Sequence, residues 1–313
     1  MKAEVIGRKA IKLVNSLLNI VVLIIVILLT AFAGYALWDS NHLHKAADKS
    51  TYAIYKPSQE DEGKSFLALQ AINPEVIAWL SVYGTNIDYP VTQGSSNMKY
   101  VNTSAEGLYS LSGSIFLDCR NSNDFSDFNS ILYGHHMAKQ VMFGEIGDFS
   151  DRKIFDSHRY GNLYFGGKDH GIEFFAFVHT DAYDSSVFTP NMQGAQREEY
   201  LYSLYAKTMH KRDVCVTAED RIILLSTCSS RSTNGRDILV GRITDEVYDD
   251  LSPSAASSVG IRQTDAGVPH SNEKKIPVLK ILLVIILVIV IIACCLLTYY
   301  KRRRKKEKKQ RKV

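Results

Sequence analysis

"RIILLSTCSSRSTNGRDILVGRI", residues 221 to 243, sets an apolar run that ends in a cysteine, then a polar loop, then a second apolar run opened by an arginine. The alternation in "RIILLSTC" buries part of a strand, and "SSRSTNGR" is wholly polar, so Cys228 falls where a strand enters a solvated loop. If the two runs pair as a hairpin, Arg236 begins the second strand beside the end of the first. A guanidinium in that place stabilises a thiolate, or donates hydrogen bonds to the oxyanion formed when a carbonyl is attacked.

A thiol nucleophile also needs a partner for proton transfer. Of the nine histidines, His135 and His136 in "ILYGHHM" are the best placed, because they leave a strand-like run behind a glycine. His42, His44, His158, His170 and His270 read as surface residues. No CxxC or HxxxH spacing occurs, so neither a metal nor another cofactor is expected.

Around this stretch lie further strand signals: "NIDYPV" at 86–91, "GSIFLD" at 113–118, "NSILYGHH" at 129–136, "NLYFGG" at 162–167 and "GIEFFAFVHTDAY" at 171–183. "GKSFLALQAINPEVIAWLSV" begins as a helix and changes near Asn73-Pro74 into a second short helix and a strand. Residues 189–210 read as a helix capped by Thr189, with Pro190 in its first turn. Many short strands with few helices predict a mostly β domain, a barrel or sandwich with helical insertions, over residues 60–247.

Two apolar runs flank that domain. Residues 17–38 carry no charge and span about 33 Å as a helix, enough to cross a bilayer. The run is longer than the apolar part of a signal peptide, so it reads as an uncleaved signal-anchor behind a short N-terminus, 1–16. A second uncharged run, 281–300, gives a span placed at 278–300, after a Ser-, Ala- and Gly-rich linker at 248–277. Residues 39–59 read as a stalk, and 301–313 is a polybasic tail.

Both ends are basic, which predicts a two-pass protein of the cell membrane with cytoplasmic termini. Residues 1–12 and the tail take 14 of the 37 basic and 2 of the 33 acidic residues, leaving 23 against 31. The portion between is therefore net −8 and extracellular. Directly after a membrane span, the tail suits anionic lipid headgroups rather than nucleic acid.

Five cysteines do not suggest a disulfide scaffold. Cys294 and Cys295 fall in the second run. Cys119 and Cys215, in "IFLDCRN" and "DVCVTA", read as buried free thiols on strands, with a bridge between them left open.

"LSTC" with an arginine eight residues on, and "YGHHM" upstream, resembles the sortases, membrane-anchored cysteine transpeptidases of Gram-positive bacteria. "INPEVIAWLSVYGTNIDYPV", "GSIFLDCRN" and "ILYGHHMAKQVMFGEI" resemble the class B branch, and in order they cover residues 65–245. The resemblance implies an eight-stranded β-barrel with a long helix beside the active-site groove, set here between the two transmembrane helices read from the apolar runs; members of this branch commonly have only the N-terminal anchor. It implies Cys228 as nucleophile, His135 as general acid and base, and Arg236 as the group that stabilises the oxyanion. Ser226 and Thr227 would contact the sorting signal, and Asp118 and His136 would play supporting roles.

The implied substrates are surface proteins or pilins that carry a C-terminal LPXTG- or NPXTN-like signal. The implied acceptor is an amine of a lipid-linked cell-wall precursor, or a pilin lysine. A second span with a basic tail is more usual in the pilin-polymerising class C, whose "DPW" lid motif is absent from residues 39–112, so the acceptor stays open. A non-catalytic surface-anchored binding protein and a hydrolytic cysteine protease are the competing readings.

Overall fold

The computed structural model describes residues 2–58, 60, 62–229 and 232–250. The linker, second span and basic tail expected from the sequence, with Cys294 and Cys295, lie outside the described residues except for 248–250 of the linker. In chain order the elements are α1 (Lys2–Ala46), α2 (Lys64–Ile72), β1 (Val76–Val82), β2 (Asp88–Thr92), β3 (Ile115–Leu117), β4 (Asn129–Tyr133), α3 (Arg152–Ser157), β5 (Tyr160–Phe165), β6 (Lys168–Asp181), α4 (Gln196–Ala206), β7 (Thr208–Lys211), β8 (Arg221–Cys228) and β9 (Gly235–Thr244).

The strands follow the order β5-β1-β2-β3-β4-β8-β9-β6, and β5 pairs again with β6, which closes an eight-stranded barrel. β7 adds a ninth strand on the outer edge of β6. The β2–β3 and β4–β8 pairs are parallel and the other pairs antiparallel. Closure removes the unpaired edges that a sheet would otherwise expose.

Two apolar clusters sit on the two faces of this sheet. The larger one collects side chains from every barrel strand, and Leu80, Tyr89, Ile115, Leu132, Leu163, Phe177, Leu225 and Leu239, which face one another across the ladders, fill the lumen. The smaller packs Tyr200, Leu201 and Leu204 of α4 against Ile222, Leu224, Ile238 and Val240 on the outside. β8 is therefore buried on both faces from Ile222 to Thr227, and only Cys228 emerges. That explains an apolar run denser than the alternation expected of a half-buried strand.

Other expectations need correcting. Residues 74–75 form a turn straight into β1, with no second helix. The helix expected over 189–210 begins only at Gln196, because Asn191 and Gly194 take positive φ (62° and 54°), and the Thr189 carbonyl accepts from Asn129 Nδ2 rather than starting a helix. Its expected last residues instead become β7, drawn into the ladder of β6.

α1 contains a stretch, Ile11–Asp39, long and apolar enough to cross a membrane, and none of it is buried against the rest of the chain. Immediately after α1 the chain docks on the barrel. Ala47 and Tyr52 are buried, Tyr89 Oη donates to the Ala47 carbonyl, and Lys56 pairs with Asp88 at 2.7 Å.

Candidate active site

Strand register places the candidate residues. β8 and β9 are antiparallel, and their last pair is Cys228 with Arg236. β4 runs parallel to β8, with Tyr133 opposite Ser226 as its last pair. Beyond it, Gly134 N donates to the Ser226 carbonyl at 3.2 Å, and Thr227 Oγ1 donates to the Gly134 carbonyl at 2.8 Å. Two residues on, that register brings His135 level with Cys228. The order across the three strands is thus His135, Cys228, Arg236. Alternation puts all three on the outer face, since Tyr133, Ile131, Leu224 and Ile238 of the same parity pack in the α4 cluster.

The local chemistry of each differs. The Cys228 thiol is exposed, as a nucleophile must be. His135 is half-buried, and its Nε2 lies 2.9 Å from the Val101 carbonyl. With Nε2 carrying the proton to that acceptor, Nδ1 is left as the basic atom, so a backbone carbonyl fixes the imidazole as a carboxylate does elsewhere. Two glycines permit this arrangement. At Gly134 a Cβ would meet the Phe143 ring at 2.7 Å, and at Gly113, with φ +59°, it would meet the Tyr100 and Val101 carbonyls at 2.5 Å. Arg236 uses Nη1 on the neighbouring Gly235 carbonyl at 3.0 Å and has no carboxylate partner among the described residues.

Arg236 also lines a cleft of about 390 Å³ with Arg120, Tyr133, Tyr183 and Phe188. Ser226 is 1% exposed, and its Oγ has no hydrogen-bond partner. A buried hydroxyl without a partner is costly, so an incoming acceptor or donor there recovers stability. Thr227, by contrast, is buried and spends its hydroxyl on Gly134, which ties β8 to the exit of β4.

Asp118 is fully buried. It accepts from Arg120 Nη2 at 2.7 Å, and from Asn97 Nδ2 and Tyr133 Oη at 3.0 Å each. Burial alone would raise its pKa, but the Arg120 side-chain and backbone bonds, then Asn97 and the guanidinium charge, outweigh that and hold it below the ordinary range. The Tyr133 phenol is pushed up, first by burial and then by the Asp118 charge and bond, so it stays a neutral donor. His136 is exposed and forms an isolated bridge with Met142, off the row that contains His135.

Sequence reasoning did not single out Arg120, the Val101 carbonyl, or the buried Asp237 that pairs with His179 at 2.8 Å. Arg120 had a signal in "FLDCRN", two residues after Asp118. A carbonyl has no residue-type signal at all. Cys119 and Cys215 are free, as expected, but Cys119 is half-buried in a turn and Cys215 is exposed in an irregular segment, so neither is a buried strand thiol.

Comparison with known proteins bears on this arrangement. No protein-family model matches the chain. Sortase B of Staphylococcus aureus is 29% identical over 239 residues, covering 72% of this chain and 96% of that protein. The crystal structure of sortase B from the type II pilus of Streptococcus pneumoniae is 47% identical, with a TM-score of 0.51 over 57% of this chain and 98% of that one. A class B sortase of Streptococcus pyogenes involved in pilus biogenesis is 43% identical, with a TM-score of 0.53 over 58% and 99%. The eight-stranded barrel is thus the fold of proteins 47% and 43% identical to this chain over nearly their whole solved length, and the chain belongs to the sortase family of cysteine transpeptidases, on its class B side.

Proposed function

We propose that the chain is a membrane-anchored transpeptidase that cleaves a C-terminal sorting signal and transfers the acyl part to an amine. The observation that carries this reading is the register that seats Arg236 opposite Cys228 with His135 level on the other side. The Cys228 thiolate attacks the threonine carbonyl of an LPXTG- or NPXTN-like peptide, and the carbonyl electrons move to oxygen, where Arg236 donates hydrogen bonds. As the tetrahedral intermediate collapses, the C–N bond breaks and the amine leaves with a proton from His135. A second amine attacks the thioester, gives its proton to His135 and expels the thiolate, forming a new amide. Ser226 Oγ is suited to bind the peptide backbone, while Asp118 acts on the cleft through Arg120.

α1 holds the domain at the outer membrane surface, and the apolar run at 278–300 adds a second anchor with the basic tail 301–313 on anionic headgroups inside. Residues 60–247 are the catalytic domain between them. Tethering enzyme and substrate to one surface raises their effective concentration.

The acceptor is an amine of a lipid-linked cell-wall precursor or a pilin lysine. The identities of 47% and 43% to two pilus-associated enzymes favour the lysine. The full chain in detergent, incubated with sorting peptides, is expected to gain the mass of a thioacyl adduct on Cys228 that an added amine resolves. Absence of the adduct with every such peptide would leave a non-catalytic surface protein, and product yield independent of amine would make the chain a protease. Covalent ladders of purified pilin would assign the lysine.

A further inference from the structure

The cleft contains a second guanidinium that the proposed reaction does not use. Arg120 donates from Nε and Nη2 to the two oxygens of Asp118 at 2.8 and 2.7 Å, and from Nη2 also to the Phe188 carbonyl at 3.2 Å. The Asp118 side chain is fully buried, whereas that of Arg120 is 54% exposed. Its Nη1 has no partner among the described residues. The hidden edge of the fork is thus clamped and the other edge is presented to the cleft. A group held in this way has little rotamer freedom left to lose when it binds.

Position and charge say what it would take. Tyr133, which donates to Asp118 and lines the same cleft, precedes His135 by two residues, so Arg120's anchor sits about 7 Å from the row of Cys228. In an extended peptide acylating Cys228 through its threonine, the side chain of the preceding residue spans that distance. This is the variable position of the signals considered above. Arg120 is balanced by Asp118 but Arg236 is not, which leaves the cleft cationic inside a portion of the chain that is net −8. A glutamate side chain fits both the reach and the sign.

We propose that Arg120 is a specificity-determining residue that selects a glutamate immediately before the scissile threonine. This rests on the transpeptidase reading and names the substrate class of the same site. A carboxylate on the free edge of the fork makes a charge-assisted bond that a carboxamide cannot match.

The test uses the full chain in detergent with four peptides, LPETG, LPQTG, NPETN and NPQTN, read as kcat and KM for amine-trapped product. Within each pair the glutamate peptide is expected to be preferred about tenfold, mainly in KM, and less so at high salt. In Arg120→Gln the ratio is expected to fall to about one, with Arg120→Lys intermediate. A wild-type ratio near one, or one kept in Arg120→Gln, overturns the proposal. Should Arg120→Gln not fold, the wild-type ratio and Arg120→Lys decide. Binding of the same peptides to the Cys228→Ala chain, read by fluorescence anisotropy, separates this from failure of the chemistry. A glutamate preference there without any turnover in the wild type would sink the reaction and keep the specificity, and turnover without the preference would do the reverse.

Discussion

The inner and outer faces of β4, β8 and β9 are built from alternate residues of the same strands, yet they do different work. Inside, Leu132, Ile223, Leu225 and Leu239 share one cluster with Phe177 and Leu80, all without exposure. Outside, α4 covers only the middle of the strands, and toward the end of β8 the cover gives way to Cys228, Arg236 and a cleft. A period of two therefore separates stability from chemistry along one stretch of chain. A residue moved by one position would change from one role to the other.

The sharpest way to break this division is Cys228→Ala. Thioacyl capture of any sorting peptide, read by mass spectrometry, is expected to vanish, while the thermal midpoint stays unchanged because the side chain is exposed. A large fall in the midpoint would mean that the outer row also holds the fold.

Arg236→Lys keeps the charge but loses the forked donors, and kcat is expected to drop roughly 100- to 1000-fold. Near-normal turnover would remove Arg236 from the reaction.

Leu225→Ala probes the inner face. The side chain is fully buried, so unfolding in denaturant is expected to show a loss of about 2–5 kcal/mol, with kcat per folded molecule retained. Lost kcat at full occupancy of the fold would show that the lumen shapes the site.

A smaller effect concerns acid stability of the connection between β6 and α4. Burial opposes ionisation of Asp184, but bonds from Lys207, Ser186 and Thr180 outweigh it and lower its pKa to about 2. In the unfolded chain the carboxyl titrates near its ordinary value, so between about pH 4 and pH 2 the unfolded state binds more protons. The contribution of Asp184 is complete above that window and fades as pH falls through it. Asp184→Asn is expected to flatten this part of a stability profile followed by circular dichroism. Finally, Cys215→Ser is expected to change neither turnover nor midpoint, because that thiol is exposed on an irregular segment and lines no part of the cleft.

Much of this was legible in the chain. The strand runs at 220–228 and 236–243 map onto β8 and β9 within a residue, and the hairpin expected between them is the one that pairs Cys228 with Arg236. The stretch around 196–206 announced a helix but not its start, since the chain before it takes positive φ at Asn191 and Gly194 and bonds to Asn129 of β4 through the Thr189 carbonyl. β7 is equally a product of its partner: "TMHK" has no strong strand signal, and the edge of β6 recruits it.

Residue types and periodicity by themselves determined a β domain behind an apolar helix, and which thiol, imidazole and guanidinium were able to meet. Whether they meet was decided by tertiary structure. Hydrogen-bond register between β4 and β8 joins residues about 93 positions apart, and no local propensity encodes a pairing at that distance. The same holds for Arg120, whose role depends on a buried carboxylate, and for the Val101 carbonyl on His135, because backbone groups acquire chemistry only from where the fold sets them down.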